Sequence, residues 1–469
     1  GKVVDAHLTG GMYRGFETIL KGRDPRDYVM QKVLEDLDFA ATWCSKASKY
    51  VNTNVINRYV ALALKSRICL YEGTYRKYHG INLEGHDYTY YLEEAAKAAK
   101  TIIDEGPYKL YSTKNPDKDY MMLFAQENAS TEEYILAIRN SYEAQVYHNA
   151  TAYTLLPTQG RPGYTRKFIN MYLMKDGKAF TDKFKTEWQT MPFTEEVKDR
   201  DPRLAQSIRT PGYKRIGAKR VQGPDLGVTI TGYQPIKFVQ DTTASGGQID
   251  RNDRSTCDMP VFRYAEVLLN YAEAKAELGT LTQNDLAITV NEIRSRVGMR
   301  GLDMNEANKN IDWYLSSEEY GYPNVTGANK GVILEIRRER AVELIQEGFR
   351  LQDLYRWKAG YCIDQAISGM YFPGPGEYKL AGKETADLIL YAAGSTKPQG
   401  GEGVSVYELG SDIILSEGNK GYVFYHKTVE NLRTPFNEER DYLYPIPSGE
   451  RSLNPNLTQN PGWSDGLDF

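Results

Sequence analysis

The chain has 469 residues and a net charge of −4, with 41% hydrophobic and 26% charged residues, a balance ordinary for a globular protein. Its length suggests roughly two or three domains, or one large α-rich body. The composition lacks the basic footprint of nucleic-acid binding, and no apolar run approaches the roughly 18 residues of a membrane span. Nor does the sequence open on a basic stretch followed by an apolar one, so any targeting signal is expected to have been removed or left out.

Residues 24–42 predict a helix: Pro25 suits its first turn, and Val29, Val33, Leu37 and Ala40 recur at steps of three and four. Residues 57–78 predict a second, with Ala61, Leu64, Ile68 and Tyr71 on one stripe. Residues 90–104 predict a third. Its Ala95, Ala98 and Ala99 allow a neighbour to come close, and the Gly-Pro pair at 106–107 stops it. The small-residue contact between adjacent antiparallel helices suggests tetratricopeptide-like hairpins. A second pair is expected at 261–278, ending at Gly279, and 284–297, where Leu286, Val290, Ile293 and Val297 are in phase. Helical stretches follow at 331–346 and 349–358, divided by Gly348.

Between the pairs, residues 151–260 carry turn signals and short β-like runs at 226–230 and 236–239. Residues 369–440 are rich in Gly and Tyr with little helical phase. The fold class expected is therefore mainly α, a body of helix hairpins interrupted by long irregular loop and short-β excursions.

Cys44, Cys69, Cys257 and Cys362 form no C-x-x-C pair and have no His at zinc-like spacing. Buried free thiols are the plain reading, and a Cys44–Cys69 bridge between neighbouring helices is left open. The 36 Tyr residues suit wet binding surfaces and half-buried helix contacts alike.

Three segments carry a family resemblance: RYAEVLLNYAEAKAELG (263–279), EIRRERAVELIQEGFRLQDLYRWKAG (335–360) and YPIPSGERSLNPNLTQNPGW (444–463). Four more, at 23–40, 61–80, 171–180 and 200–212, keep the same order. Together they resemble the SusD/RagB family of outer-membrane lipoproteins. The resemblance covers nearly the whole chain and implies one SusD-like domain. Its helical body would begin at 24–108, its loop-rich excursion would be 151–260, and its signature region would be 261–469 with an insertion at 303–330. It further implies a non-enzymatic protein on the extracellular face of the outer membrane, which binds glycan and delivers it to a SusC-like TonB-dependent transporter. Some relatives bind peptide instead, so peptide cargo is the alternative. A soluble helical-repeat scaffold for protein partners is a reading from another class.

In the family, a signal peptide, a lipidated N-terminal cysteine and an N-terminal helical region precede the first block recognised here. The resemblance thus implies that the N-terminal region, and with it the lipid anchor and part of the ligand site, is missing from this sequence. Cys44 is no substitute for the lipidated residue, because it follows DLDFAATW within a helix.

Glu347, Arg350 and Asp353 sit three apart, as do Arg340 and Glu343, and each set is within reach on one helical face unless Gly348 breaks it. Glu339 and Glu343 have the look of a hydrolytic carboxylate pair, but residues one turn apart lie side by side, whereas a glycosidase pair must flank its substrate. An ion-pair network locking helices is the expected role. The tail block, with PIP at 445–447 and NPN at 454–456, reads as extended chain tying the C-terminus to the body.

Sugar recognition calls for aromatic platforms with convergent polar groups. The insertion offers Trp313, Tyr314, Tyr320 and Tyr322 with Asn324 and Asn329, and the Gly/Pro-rich loop 371–378 offers Tyr371 and Tyr378. Packing of the insertion onto the body is the competing role for these rings, and Trp188 and Trp463 are read as structural. No catalytic residue, metal ligand or cofactor is expected, although acidic loops can hold a structural Ca²⁺.

Overall fold

The computed structural model describes residues 25–46, 53–83, 85–244, 246–364, 367–424 and 435–467. Three helices open it: α1 (Pro25–Trp43), α2 (Arg58–His79) and α3 (Tyr88–Glu105). Asn57 caps α2 by accepting the N–H groups of Tyr59 and Val60, and Asp87 caps α3 in the same way through Thr89 and Tyr90. Helices α2 and α3 pack closely because Gly73 faces Leu92, where an added Cβ would fall 2.8 Å from Leu92 Cγ. On α3, Ala95, Ala98 and Ala99 are buried at that contact, as their size predicts.

Strand β1 (Tyr134–Ile138) pairs antiparallel with β2 (Met259–Arg263), which runs directly into α4 (Tyr264–Glu277). Residues 261–263 were expected to be helical and are strand. The apolar pair Val261–Phe262 suits either state. Extension puts the Arg263 guanidinium against Glu133, Glu343 and Glu347. The helix expected over 284–297 is two, α5 (Gln283–Ala287) and α6 (Val290–Arg296), with α5 opened by a Thr282/Asp285 capping box. The Thr289 hydroxyl bonds back to the Asp285 carbonyl at the break, the local competition that bends helices at Thr. Helix α7 (Lys330–Glu343) packs on α4, and Gly348, at φ 85, separates it from α8 (Arg350–Arg356). So α3 meets α4 across an interval of about 150 residues, and the hairpin body is assembled from distant sequence.

Ion pairs run through the centre of this body. The Glu343 carboxylate binds Arg296 at 2.6 Å, Arg263 at 2.7 Å and Arg203 at 3.1 Å. Glu339 binds Arg203 at 2.5 Å and Arg294 at 2.8 Å. Glu347 holds Arg263 and Lys237, while Asp353 holds Arg340 and Arg356. The expected network exists, but its pairing differs from the spacing argument. Glu347 does not reach Arg350 or Asp353, because Gly348 turns the chain, and Arg340 and Glu343 look outward to different helices. Burial raises the carboxyl pKa of Glu273, but the Arg356 guanidinium overrides it and holds the group down at about 2.

The excursion at 151–260 is made of short helical turns and loops up to β2. Residues 226–230 and 236–239 are turns and coil and not strands. In their place, buried Leu226, Tyr233 and Ile236 anchor the segment to the body. The later Gly-rich region does carry sheet. Strand β3 (Ser368–Phe372) pairs antiparallel with β7 (Gly421–Phe424). Strand β5 (Leu388–Tyr391) lies between antiparallel β4 (Gly376–Tyr378) and parallel β6 (Ser405–Glu408).

All four cysteines are free, so no Cys44–Cys69 bridge forms; Cys69 and Cys257 are buried, and Cys44 and Cys362 are half-buried. The tail is tied by side chains: Gln459 brackets Ile446 through both its N–H and its carbonyl, and Arg451 reaches the Leu457 and Leu467 carbonyls. Tyr442 packs edge-on against His79 of α2.

Candidate functional site

Residues 303–330, expected from the sequence as an insertion, pack on the body, with Tyr314, Leu315, Tyr322 and Val325 buried in its core. The helical turn Met304–Lys309 lies against α7, and Gly331 allows the close approach, since a Cβ there would lie 2.0 Å from the Ala307 carbonyl oxygen. Asp312 fixes the aromatic end of the segment. One carboxylate oxygen pairs with the buried Arg338 of α7, and the other accepts the Leu315 N–H at 3.1 Å, capping the helical turn Trp313–Ser316. Trp313 is thereby held at the first position of that turn, 43% exposed.

Rings gather behind it. Tyr314 and Tyr320 stack at 4.5 Å with 6° between their planes, and the Trp188 and Trp313 rings meet both edge-on. The Tyr314 hydroxyl accepts from Asn170 at 3.2 Å. Tyr314 is 1% exposed, so it braces the platform and presents no face of its own. Tyr322 is equally buried, against Trp357, and Asn324 donates to the Trp357 and Lys358 carbonyls. These two seat the insertion on the body. Tyr371 is half-buried and pairs across the β3–β7 ladder with Tyr422, their rings 5.8 Å apart. Strand β3 packs on the turn Glu187–Thr190 that carries Trp188, and Arg166 links that turn to β7 by donating to the Trp188 carbonyl while lying 5.1 Å over the Tyr422 ring. Tyr378 belongs to the sheet side: its ring meets Phe372 edge-on and its hydroxyl donates to the Gly374 carbonyl.

A cleft of about 390 Å³ has Trp313 and Trp188 on its walls with Lys185 and Gln189. A second, of about 520 Å³, is lined by Asp182, Asp312, Glu335, Arg300 and Asn310. The two share Asp182. A third, of about 450 Å³, includes Phe184, Met191 and Lys183, and shares Lys183 with the second. Each of the three takes lining residues from the helical turn Phe180–Phe184. Burial, with the neighbouring Asp312 charge, raises the Asp182 carboxyl pKa, while Arg338 and Trp313 partly offset the rise. An indole face, an amide and a carboxylate lining one cleft can stack on the apolar side of a sugar ring and bond its hydroxyls. Among the described residues no group of three or more His, Cys, Asp or Glu side chains is placed to hold a metal ion.

The sequence singled out Trp313, Tyr314 and Tyr320 but not Asp182, Lys185 and Gln189, which line the same cleft as Trp313, and it read Trp188, on that cleft's wall, as structural. An Asp placed before WYLS marks an N-cap, a signal for Asp312. Nothing local marks Asp182.

A family model described as the SusD family matches residues 124–463. The fold is similar to a SusD-like carbohydrate-binding protein from Bacteroides fragilis, at 22% identity and TM-score 0.59, covering 93% of this chain and 71% of that one. A SusD-like protein from the same organism matches at 19% identity and TM-score 0.57, covering 92% and 70%. A structure with xylogluco-oligosaccharide matches at 15% identity and TM-score 0.52, covering 91% and 71%. At these identities the likeness is one of fold. A stretch of 27 residues is 78% identical to part of the periplasmic nickel-iron-selenium hydrogenase large subunit of Desulfomicrobium baculatum; it spans 6% of this chain and 5% of that protein, too little to bear on either fold or site.

Proposed function

The chain belongs to the SusD family, and from that premise we propose that it captures oligosaccharide at the outer face of the outer membrane and delivers it to a SusC-like TonB-dependent transporter. The observation that carries the cargo assignment is the groove at Trp313, where an exposed indole stands beside Asp182, Lys185 and Gln189. The xylogluco-oligosaccharide held by one relative of the same fold makes that ligand the first to test. No helix among the described residues is long and apolar enough to cross a membrane, and attachment through a lipid anchor is part of this reading.

The protein binds and does not hydrolyse. Glu339 and Glu343 are buried side by side on α7 and both bind the Arg203 guanidinium, so neither is free to accept or donate a proton to a glycosidic oxygen. A sugar stacked on Trp313 would cover about 50 Å² of indole and as much of itself, worth at most roughly 2.5 kcal/mol. Ordering costs reduce that to about 1–2 kcal/mol. That one contact contributes roughly tenfold, and the overall affinity is expected to be micromolar or weaker.

The test is calorimetric titration of oligosaccharide and peptide panels, with product analysis of each mixture. Oligosaccharide binding with the ligand recovered intact supports the reading. Binding of peptides alone moves the cargo to the other class seen among relatives, and release of shorter sugars would overturn the non-enzymatic assignment.

A further inference from the structure

Past the end of β1 the chain turns back on itself in a small hairpin. Reciprocal backbone hydrogen bonds between Ser141 and Val146, at 3.0 and 3.1 Å, close it, with Gln145 at φ 56 in the turn. Asp258 fixes its base. One carboxylate oxygen accepts the Asn140 N–H and the other the Ala129 N–H, each at 2.8 Å, so the 127–129 segment is set beside the hairpin. A cleft of about 150 Å³ takes its walls from both, with Thr256. It shares no lining residue with the three clefts described above.

Tyr142 stands on this cleft, 42% exposed. Its ring rests on the backbone at Gly246, where a Cβ would fall 2.0 Å from Tyr142 Cδ2, and the Tyr147 hydroxyl donates to the Tyr142 carbonyl at 3.3 Å. Polar groups of both kinds surround the ring. Asn140 Nδ2 donates to the Cys257 and Ile138 carbonyls, which leaves its amide oxygen as an acceptor. The Thr256 hydroxyl oxygen accepts from Gln240 Nε2, which leaves its proton to donate. Asn128 adds an amide, Arg139 a guanidinium, and Glu127 and Glu143 a carboxylate each.

A flat ring among donors and acceptors suits a sugar, which has an apolar face and a rim of hydroxyls. The cleft has about half the roughly 300 Å³ at which sites for drug-sized ligands begin, so it takes one ring and not a chain. Two carboxylates against one guanidinium disfavour an acidic sugar. We propose that the hairpin cleft is a second carbohydrate site, which takes a single neutral pyranose with Tyr142 as its platform. The proposal rests on the reading that this protein takes sugar, but not on the Trp313 groove. One ring makes few contacts, so the site fills at millimolar sugar, after the groove.

The experiment is saturation-transfer difference NMR with a large excess of the methyl glycosides of glucose, galactose and xylose, and of methyl glucuronide. It compares the wild type with Trp313→Ala, Tyr142→Ala and the double variant, each checked for folding by circular dichroism. The Trp313→Ala protein is expected to keep transfer to at least one neutral glycoside, and the double variant to lose it. Methyl glucuronide should give a signal several-fold weaker. Loss of all transfer in Trp313→Ala alone would overturn the second site and leave the groove in place, and transfer that survives in the double variant would overturn it too. Loss in Tyr142→Ala alone would support the site and move capture away from Trp313. A wild type that binds no sugar, oligosaccharides included, would sink both the site and the proposed function.

Discussion

Replacing Glu343 by Gln keeps the side-chain shape and removes a charge from the centre of the helical body. Three arginines lie within 3.1 Å of that carboxylate: Arg296, Arg263 and Arg203. They come from α6, from β2 and from the excursion, so the loss is felt in three places at once. A guanidinium cannot shed its proton to escape. The amide oxygen can accept from one arginine, while its NH₂ group faces another donor. Breaking a buried ion pair from one side costs about 3–5 kcal/mol, a large share of the roughly 5–15 kcal/mol that holds a folded protein together. Equilibrium urea unfolding at pH 7, followed by circular dichroism and by tryptophan fluorescence, should show a midpoint lowered by that much after multiplication by the slope. A loss below about 1 kcal/mol would refute the claim that the pair is structural. A gain in stability would point the other way, to a strained functional carboxylate.

Other outcomes follow from the same contacts. Glu273 sits at about 2 instead of the ordinary 4.5, so its contribution is fully present above 4.5 and is lost as pH falls through 2; urea midpoints should drop steeply across that window, by about 3 kcal/mol from this group. Asp312→Ala removes the partner of Arg338 and the cap of the Trp313 turn, and should cost roughly 3–4 kcal/mol in urea unfolding and redden the tryptophan emission. Gly73→Leu drives a side chain into Leu92 of α3 and should cost about 1–3 kcal/mol or more, read as a lower melting temperature. Trp313→Ala should cost about 1–3 kcal/mol of stability, because the 43% exposed ring still packs edge-on against Tyr314 and Tyr320, and weaken oligosaccharide binding roughly tenfold in calorimetry.

The long helices were legible because burial on one face imposes its period on the sequence. Residues 58–79 and 88–105 carry that stripe, with Asn57, Asp87 and Gly80 punctuating it. Strand β2 was not legible, since five residues leading straight into a helix share its apolar content and differ only in where Arg263 must point. The ion-pair core was foreseeable as a function for Glu339 and Glu343. Its partners were not, because Arg203 stands 136 residues before Glu339 and only the fold brings them together. The site divides in the same way. Trp313 announces itself as an aromatic in an insertion, while Asp182 and Gln189 acquire meaning only when the 171–199 segment folds back beside it.

Saturation-transfer difference NMR on a bound oligosaccharide tests the central claim most directly, because it reports which sugar protons lie against the protein. With the wild type, the protons on the apolar face of one ring should be the most strongly saturated, and in Trp313→Ala that signal should collapse while the protein stays folded. An epitope unchanged in the variant would place sugar capture away from the Trp313 groove and contradict the account.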